Sequence, residues 1–200
     1  MKVLAIMGSP VRKRNNEALL SSVLNGLRSE HPAPEKIDVQ LFCASSLKVS
    51  PCIACDRCAR VKGCIFEDDM QTLYKEFESS DVIIITSPLY FNSVSAQLKA
   101  VIDRCQAIWS SKYALKDSMI SQEKKRFGLF ISTAGVDLKD DPDLFLGTLP
   151  IMDLFFKSIH TEYVGNLFVG NVDQVPVLEN EKSIKDGFRW GQKLYKHACS

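Results

Sequence analysis

The sequence lacks a long hydrophobic run, an excess of either charge and a histidine cluster. Its most apolar segment, residues 144–159, is interrupted by Asp153 and Lys157, and it falls short of the roughly 18 apolar residues that a membrane span needs. With 25 Lys and Arg against 24 Asp and Glu, the net charge is +1, which indicates no affinity for nucleic acid or for an anionic membrane. The three histidines are scattered along the chain, so no acid–base catalytic group is visible.

The amino-terminal segment also lacks the features of a signal peptide. A single early lysine precedes an apolar run from Val3 to Met7, which is too short for the core of such a peptide. We therefore expect a cytoplasmic protein, in which disulfides are the least natural state of the seven cysteines.

Buried strands and amphipathic helices alternate along the chain. Five strands that alternate with five helices predict an α/β fold with a doubly wound parallel sheet of order 2-1-3-4-5, in one domain over residues 1–200. Ser93 or Ser95 is predicted to cap the third helix, and Pro150 to kink the fourth. The predicted strands cover residues 3–7, 38–42, 82–86, 127–133 and 163–169, and the predicted helices cover residues 16–29, 68–80, 95–109, 142–158 and 181–198.

Four of the seven cysteines lie in one loop, predicted over residues 43–69 between strand two and helix two. Their spacing, Cys52-x2-Cys55-x2-Cys58-x5-Cys64, has the consecutive two-residue gaps that are typical of loops around an iron–sulfur cube. No proline follows the last cysteine and no second run exists, so the pattern predicts one self-contained [4Fe–4S] site. A zinc knuckle, a pair of disulfides and four reduced thiols are the alternative interpretations.

The loop after strand one is predicted to hold a phosphate. In a sheet of this order, ligands bind outside the carboxyl ends of strands one and three. Residues 8–16 lack GxGxxG and GxxxxGK(S/T), which excludes the common dinucleotide and triphosphate loops. They lead into a helix, and the side chains of Ser9, Asn15 and Asn16 offer hydrogen bonds while Arg12 offers charge. A terminal phosphate therefore fits best. An ordinary capped turn with a solvated basic run is the alternative.

The loop after strand three places aromatic side chains where most buried strands turn with small residues. Tyr90 and Phe91 are adjacent there, and aromatic residues at a ligand-binding edge favour a planar partner. Gly135, after strand four, is expected to let the backbone approach a ring edge closely. A phosphate loop beside an aromatic loop predicts FMN, with the alternative that either aromatic residue only caps the core.

These motifs together resemble the iron–sulfur flavoprotein family, within the NADPH-dependent FMN reductase branch of flavodoxin-like proteins. The match is specific up to about Arg104, and beyond it only the strand–helix alternation and Thr133-Ala134-Gly135 support the resemblance. The matching segments are Gly8-Ser9-Pro10 with Asn16, residues 51–64 with Asp68-Asp69-Met70, residues 87–91, and Gln97-Leu98-Lys99 with Asp103-Arg104.

The resemblance implies a noncovalent FMN, a [4Fe–4S] cluster on the four cysteines of the loop, and homodimers or homotetramers in which the cluster and flavin of different chains approach. Two positions depart from the family pattern: Val11 displaces an arginine by one residue, and Glu17 stands where a phosphate-binding threonine is expected. A carboxylate there repels phosphate unless it turns to solvent. The residues that the resemblance and the two loops assign to the flavin are Ser9, Arg12, Asn16, Pro88, Leu89, Tyr90, Phe91, Asn92, Ser93, Thr133 and Gly135.

These expectations describe a redox protein in which catalysis belongs to the cofactors, since no catalytic side chain is predicted. We expect an electron-transfer flavoprotein that takes electrons from a ferredoxin-like donor or NAD(P)H and passes them to a small-molecule acceptor. The alternatives are an NAD(P)H-dependent FMN or quinone reductase without a cluster, and a zinc-knuckle interaction module on the same scaffold. Cys43 and Cys105 are interpreted as core or loop residues, and Cys199 as a terminal thiol without a role.

Overall fold

Five parallel strands form one sheet of order β2-β1-β3-β4-β5, which confirms the predicted flavodoxin-like fold. The computed structural model describes residues 1–11 and 14–199, so the prediction for Arg12 lies outside the described residues. The central strands are continuous apolar runs because helices cover both faces of the sheet. The strands are β1 (Lys2–Met7), β2 (Asp38–Cys43), β3 (Val82–Pro88), β4 (Phe127–Thr133) and β5 (Glu162–Val169).

The helices are α1 (Asn15–Glu30), α2 (Met70–Ser79), α3 (Ala96–Arg104), α4 (Gln106–Tyr113), α5 (Leu149–Ser158) and α6 (Glu181–Cys199). The predicted third helix is two helices, because the N–H of Cys105 bonds to the carbonyl of Ile102 in a tight turn. The predicted helix 142–158 begins only at Leu149, and Pro150 lies in its first turn instead of kinking it, since a proline fits there without losing a hydrogen bond. None of the described helices is long and apolar enough to cross a membrane.

The sheet separates two apolar layers. Leu4, Ile83 and Phe130 belong to the layer beneath α2, α3, α4 and α5, and every one of them is fully buried. Their strand neighbours, among them Val3 and Ile84, face the opposite layer beneath α1 and α6. This alternation follows from the two-residue period of a strand.

Helices α1 and α6 pack with almost no space between their backbones. A Cβ added at Gly26 would meet the backbone carbonyl of Phe188, and one added at Gly191 would meet the carbonyl of Val23. The two glycines therefore permit the close contact, which fixes α1 against the sheet. Its amino terminus is thereby held at the carboxyl edge of the strands, where the loops after β1, β3, β4 and β5 meet.

Candidate functional site

Hydrogen bonds fix the first loop to the end of β3. The N–H of Gly8 donates to the carbonyl of Thr86 at 2.6 Å, and the Ser95 hydroxyl donates to the carbonyl of Gly8 at 2.7 Å. The buried Ser9 hydroxyl donates to the carbonyl of Val11 at 3.0 Å and accepts from its N–H at 3.3 Å. These bonds hold residues 8–11 at the point where the strand order reverses.

The beginning of α1 presents unsatisfied polar groups at this edge. No described side chain caps the helix, so its first N–H groups can receive an anion. Asn16 is 5% exposed, its Nδ2 donates to Thr133 Oγ1 at 2.9 Å, and its Oδ1 has no partner among the described residues. The adjacent Asn15 binds the loop after β5, because its Oδ1 accepts from the N–H of Val177 at 2.9 Å. The Asn15 Oδ1 is therefore already paired, whereas the Asn16 Oδ1 is not.

Glu17 lies on another side of α1, in a cleft between α1 and α6. The cleft has a volume of about 780 Å³, and Ile184 and Phe188 also line it. Of the first loop, Arg14 contributes to its lining. Glu17 therefore lines the cleft against α6, whereas the side chain of Asn16 bonds to Thr133.

The loop after β3 ends in a tight hairpin turn with Phe91 and Asn92 at its tip. The N–H of Tyr90 donates to the carbonyl of Ser93 at 2.9 Å, and the reverse bond measures 3.0 Å. Phe91 (φ 49°) and Asn92 (φ 56°) both have left-handed backbones, and such a conformation costs about 1–3 kcal/mol at a bulky residue. Strain of this kind is concentrated at ligand-binding and switch regions.

The aromatic side chains of this hairpin are exposed. Phe91 is fully exposed and Tyr90 is 47% exposed, so the alternative in which Phe91 caps the core is wrong. Hydrogen bonding of the Leu89 N–H to the carbonyl of Thr133 at 2.8 Å ties the base of the loop to β4. A Cβ added at Gly147 would meet the carbonyl of Asn92, so the turn that precedes α5 packs directly against the hairpin.

An acidic side chain from the loop after β5 reaches the same edge. A Cβ added at Gly135 would meet the Asp173 carboxylate, so this side chain lies where a ring edge was expected to approach Gly135. Asp173 is otherwise exposed. The sequence analysis assigned no role to the loop after strand five, although the carboxyl end of every parallel strand reaches this edge.

The cysteine loop between β2 and α2 is built from tight turns. Ala54 (φ 51°) and Asp56 (φ 56°) flank Cys55 with left-handed backbones, and Gly63 (φ 101°) precedes Cys64. Its 3-10 turn Arg57–Ala59 packs against α4. None of the seven cysteines forms a disulfide, so the disulfide alternative is not observed.

All four cysteines of the loop line one small cavity of about 40 Å³. Arg104 and Ala107 form part of its inner wall, and Cys58 Sγ lies 3.6 Å from the Ser110 hydroxyl. Within residues 1–11 and 14–199, no three His, Cys, Asp or Glu side chains are close enough together to hold a metal ion in their present positions. The thiols therefore share a cavity without standing at ligand distances.

An ion pair closes the base of the cysteine loop. The Asp68 carboxylate accepts from the N–H groups of Ser50 and Met70, both at 3.1 Å. The Arg104 guanidinium donates to the two Asp68 oxygens at 2.7 and 3.0 Å, and to the carbonyl of Ser50 at 2.8 Å. It also lies over the Phe66 ring, 4.8 Å from its centre. The segments before Cys52 and after Cys64 are thereby held together.

Both partners of this pair stay charged. Burial raises the pKa of Asp68, but the hydrogen bonds from Arg104 and from backbone N–H groups outweigh it, so that the pKa lies below its usual value. Burial lowers the pKa of Arg104, but Asp68 and the nearby Cys64 raise it by more. Burial raises the pKa of the Cys105 thiol strongly, as befits a core cysteine.

Helix α3 runs from the first loop to the cysteine cavity. Ser95, which caps its amino terminus, holds the first loop, and Arg104, its last residue, holds the cysteine loop. The two regions of one chain therefore contact opposite ends of a helix that is about 13 Å long at a rise of 1.5 Å per residue.

Comparison with known proteins assigns the chain to a family. Residues 1–138 match the sequence profile of NADPH-dependent FMN reductases. An iron–sulfur flavoprotein of Archaeoglobus fulgidus is 35% identical over 198 residues, which cover 97% of this chain and 93% of that protein. The chain belongs to the iron–sulfur flavoprotein family. This result confirms the resemblance that the motifs indicate, within the FMN reductase branch.

Further relatives agree with the assignment. An iron–sulfur flavoprotein of Methanocaldococcus jannaschii is 38% identical over 109 residues, or 54% of this chain and 52% of that protein. The solved structure of an NAD(P)H:quinone oxidoreductase from Methanothermobacter marburgensis has a TM-score of 0.72 and 17% identity, with 97% of this chain and 96% of that chain covered. A flavone reductase has a TM-score of 0.70 and 15% identity, with 100% and 64% covered. At these identities, the two structures support the fold alone.

As a member of this family, the protein is a flavin-dependent oxidoreductase, and the family supports FMN as its flavin. Asp68 and Arg104 were predicted only as part of the family pattern. A signal for their pairing does exist, because Arg104 follows Val101 by three residues and so lies on the apolar face of α3, where a cation needs an acidic partner.

Proposed function

We propose that this protein carries electrons from a redox donor to a small acceptor through FMN and a [4Fe–4S] cluster. The observation that supports the cluster most directly is the cavity lined by all four cysteines of the strained loop. A donor set of four thiolates with two-residue gaps suits such a cluster, and the names of the similar proteins agree with it. Residues 1–200 would act as one domain, with the cysteine loop 43–69 inserted after β2.

FMN would bind at the carboxyl edge, between the first loop and the hairpin. Ser9 and the free N–H groups of α1 would hold its phosphate, and the unpaired Oδ1 of Asn16 would accept a hydrogen bond from a ribityl hydroxyl. Residues 88–93, with Thr133 and Gly135, would line the ring and shield it from water. When bound, FMN supplies the exchange of electrons singly or in pairs.

The four cysteine thiolates would hold the cluster, and the rest of the loop would fix their directions. The left-handed backbones at Ala54, Asp56 and Gly63 set the turns between the cysteines. The pair of Asp68 and Arg104 holds the ends of the loop together, so that little chain entropy is lost when the thiolates become ligands. A [4Fe–4S] cluster supplies the exchange of single electrons when bound.

We infer that the protein assembles as homodimers or homotetramers. Large apolar side chains are exposed near both sites, with Ile53 and Ile65 on the cysteine loop and Phe91 and Leu146 beside the flavin edge. Exposed apolar groups of this kind are typical of interfaces between chains. Because the first loop and the cysteine loop of one chain contact opposite ends of α3, contact of a cysteine loop with the hairpin of another chain would give electrons a path between the sites of different chains.

We infer that a one-electron donor of the ferredoxin type serves this protein better than NAD(P)H does. The sequence contains no second nucleotide-binding fingerprint beside the first loop. A donor of the ferredoxin type delivers one electron at a time, so a two-electron acceptor needs two such transfers. NAD(P)H delivers both electrons in one hydride. The cysteine loop would receive the single electrons.

Anaerobic stopped-flow absorbance tests this inference on protein that has been reconstituted with FMN, iron and sulfide. We expect the flavin absorbance to bleach much faster with reduced ferredoxin than with NADPH. The matched control is Cys58→Ser, which lacks one ligand and should slow reduction by ferredoxin while leaving reduction by NADPH unchanged. Bleaching by NADPH at many turnovers per second, equal in wild type and Cys58→Ser, would favour a two-electron reductase without a functional cluster.

A further inference from the structure

Arg104 is a fully buried cation beside the cysteine cavity. Its side chain is 1% exposed, whereas arginine side chains are seldom buried unless they are paired. Asp68, the partner in its ion pair, is 12% exposed. Arg104 itself lines the cavity together with Cys52, Cys55, Cys58 and Cys64.

One donor of this guanidinium has no acceptor. The two terminal nitrogens bind Asp68 and the carbonyl of Ser50, but the buried Nε has no partner among the described residues. A buried donor without an acceptor costs about 1–3 kcal/mol. A guanidinium N–H bonds well to an anionic sulfur, and Cys64 lines the same cavity as Arg104.

The pair of Arg104 and Asp68 also sets the charge around the cavity. Arg104 forms part of the cavity wall, whereas Asp68 is not among the lining residues and accepts hydrogen bonds from the N–H groups of Ser50 and Met70. The other charged side chain in the cavity wall is Asp56, which belongs to an exposed turn. A cation in the wall favours the form of a cluster that carries one more negative charge.

We propose that Arg104 donates a hydrogen bond from Nε to a cysteine sulfur of the cluster and raises its reduction potential, and that Asp68 offsets part of this effect. This inference rests on the proposed cluster. One electron enters in each reduction and no bond forms or breaks, so the added negative charge is stabilised by the guanidinium. Arg104 is thus a positioning residue that also tunes the cluster.

The test measures the midpoint potential by anaerobic redox titration, with the cluster followed by electron paramagnetic resonance. Arg104→Gln should lower the potential by a tenfold or larger change in the reduction equilibrium, which is about 59 mV for one electron. Arg104→Lys, which keeps the charge but loses the Nε donor, should give a smaller decrease. Asp68→Asn should raise the potential, because it leaves the cation uncompensated. Arg57→Gln removes an exposed cation from the same loop and serves as the control without a shift.

Iron, sulfide and FMN contents are measured on every sample. If the ion pair of Arg104 and Asp68 were purely structural, its loss would change the yield of the cluster but not its reduction potential. Unchanged potentials in Arg104→Gln and Asp68→Asn with full iron would therefore overturn the inference. Loss of the cluster from both variants would do the same, because it would assign Arg104 a structural role alone. Absence of iron from the reconstituted wild type would instead overturn the proposed function itself.

Discussion

At the carboxyl edge of the sheet, two described residues carry buried polar atoms that have no hydrogen-bond partner. Asn16 Oδ1 and Thr86 Oγ1 are both buried and unpaired among the described residues. Each buried polar atom of this kind costs about 1–3 kcal/mol, which is a large fraction of the stability of a typical domain. A ligand with hydroxyl and phosphate groups at this edge would recover part of that free energy.

Substitutions at Ser9 and Asn16 should weaken binding in different ways. Ser9→Ala should lower the affinity for FMN by about 0.5–1.5 kcal/mol and leave that for riboflavin nearly unchanged, since only FMN carries the phosphate. Asn16→Ala should weaken both flavins by about 1 kcal/mol, because the ribityl chain is common to them. Quenching of flavin fluorescence by the apoprotein measures each affinity.

Asn15→Ala is the matched control for this experiment. Its amide binds Val177 instead of facing the edge, so neither affinity should change. Wild-type protein that binds riboflavin within about threefold of FMN would contradict the phosphate site, since the loss of charge-assisted hydrogen bonds should cost more than this.

At the scale of elements, periodicity predicted all five strands. The contacts that hold the cysteine loop and the first loop in place are tertiary, and periodicity did not predict them. The sheet order follows from buried parallel strands and helical crossovers, which are local patterns. The position of Arg104 on the apolar face of α3 indicates that it needs an acidic partner, but no local pattern identifies Asp68, 36 positions away, as that partner. Likewise, Ser95 and not Ser93 caps α3. Its hydroxyl accepts from the N–H of Leu98 and also donates to the distant carbonyl of Gly8.

Ser95→Ala tests how much the hydrogen bonds of Ser95, which join α3 to the first loop, stabilise the protein. The fully buried hydroxyl caps α3 through the N–H of Leu98 at 3.3 Å and also donates to Gly8. Its loss should reduce the free energy of unfolding of the apoprotein by about 1–3 kcal/mol, because both groups would be left unpaired. Urea unfolding followed by circular dichroism measures the change.

Ser93→Ala provides the comparison, since it removes a half-buried hydroxyl from the same segment. Its effect should stay within about 0.5 kcal/mol. Equal effects of the two substitutions would show that Ser95 does not anchor the helix.

At the scale of the whole molecule, the first loop and the cysteine cavity lie at opposite ends of α3. The family profile matches residues 1–138, which include both cofactor regions. The remaining chain adds β5 and α6, which complete the sheet and hold α1 in place. Spacing alone predicted the four cysteines as one set, because their ligand pattern is local. The position of Asp173 over Gly135 depends on how the last strand is placed, so it could not be read from a motif.

The content of iron, sulfide and FMN in anaerobically reconstituted protein tests the central claim most directly. We predict about four irons, four sulfides and one FMN per chain. Cys52→Ala, Cys55→Ala, Cys58→Ala and Cys64→Ala should each lose the iron and keep the FMN, because the proposed flavin contacts come from other loops. Wild-type protein that contains FMN but less than about one iron per chain would contradict the account, and stoichiometric zinc in its place would identify a zinc knuckle.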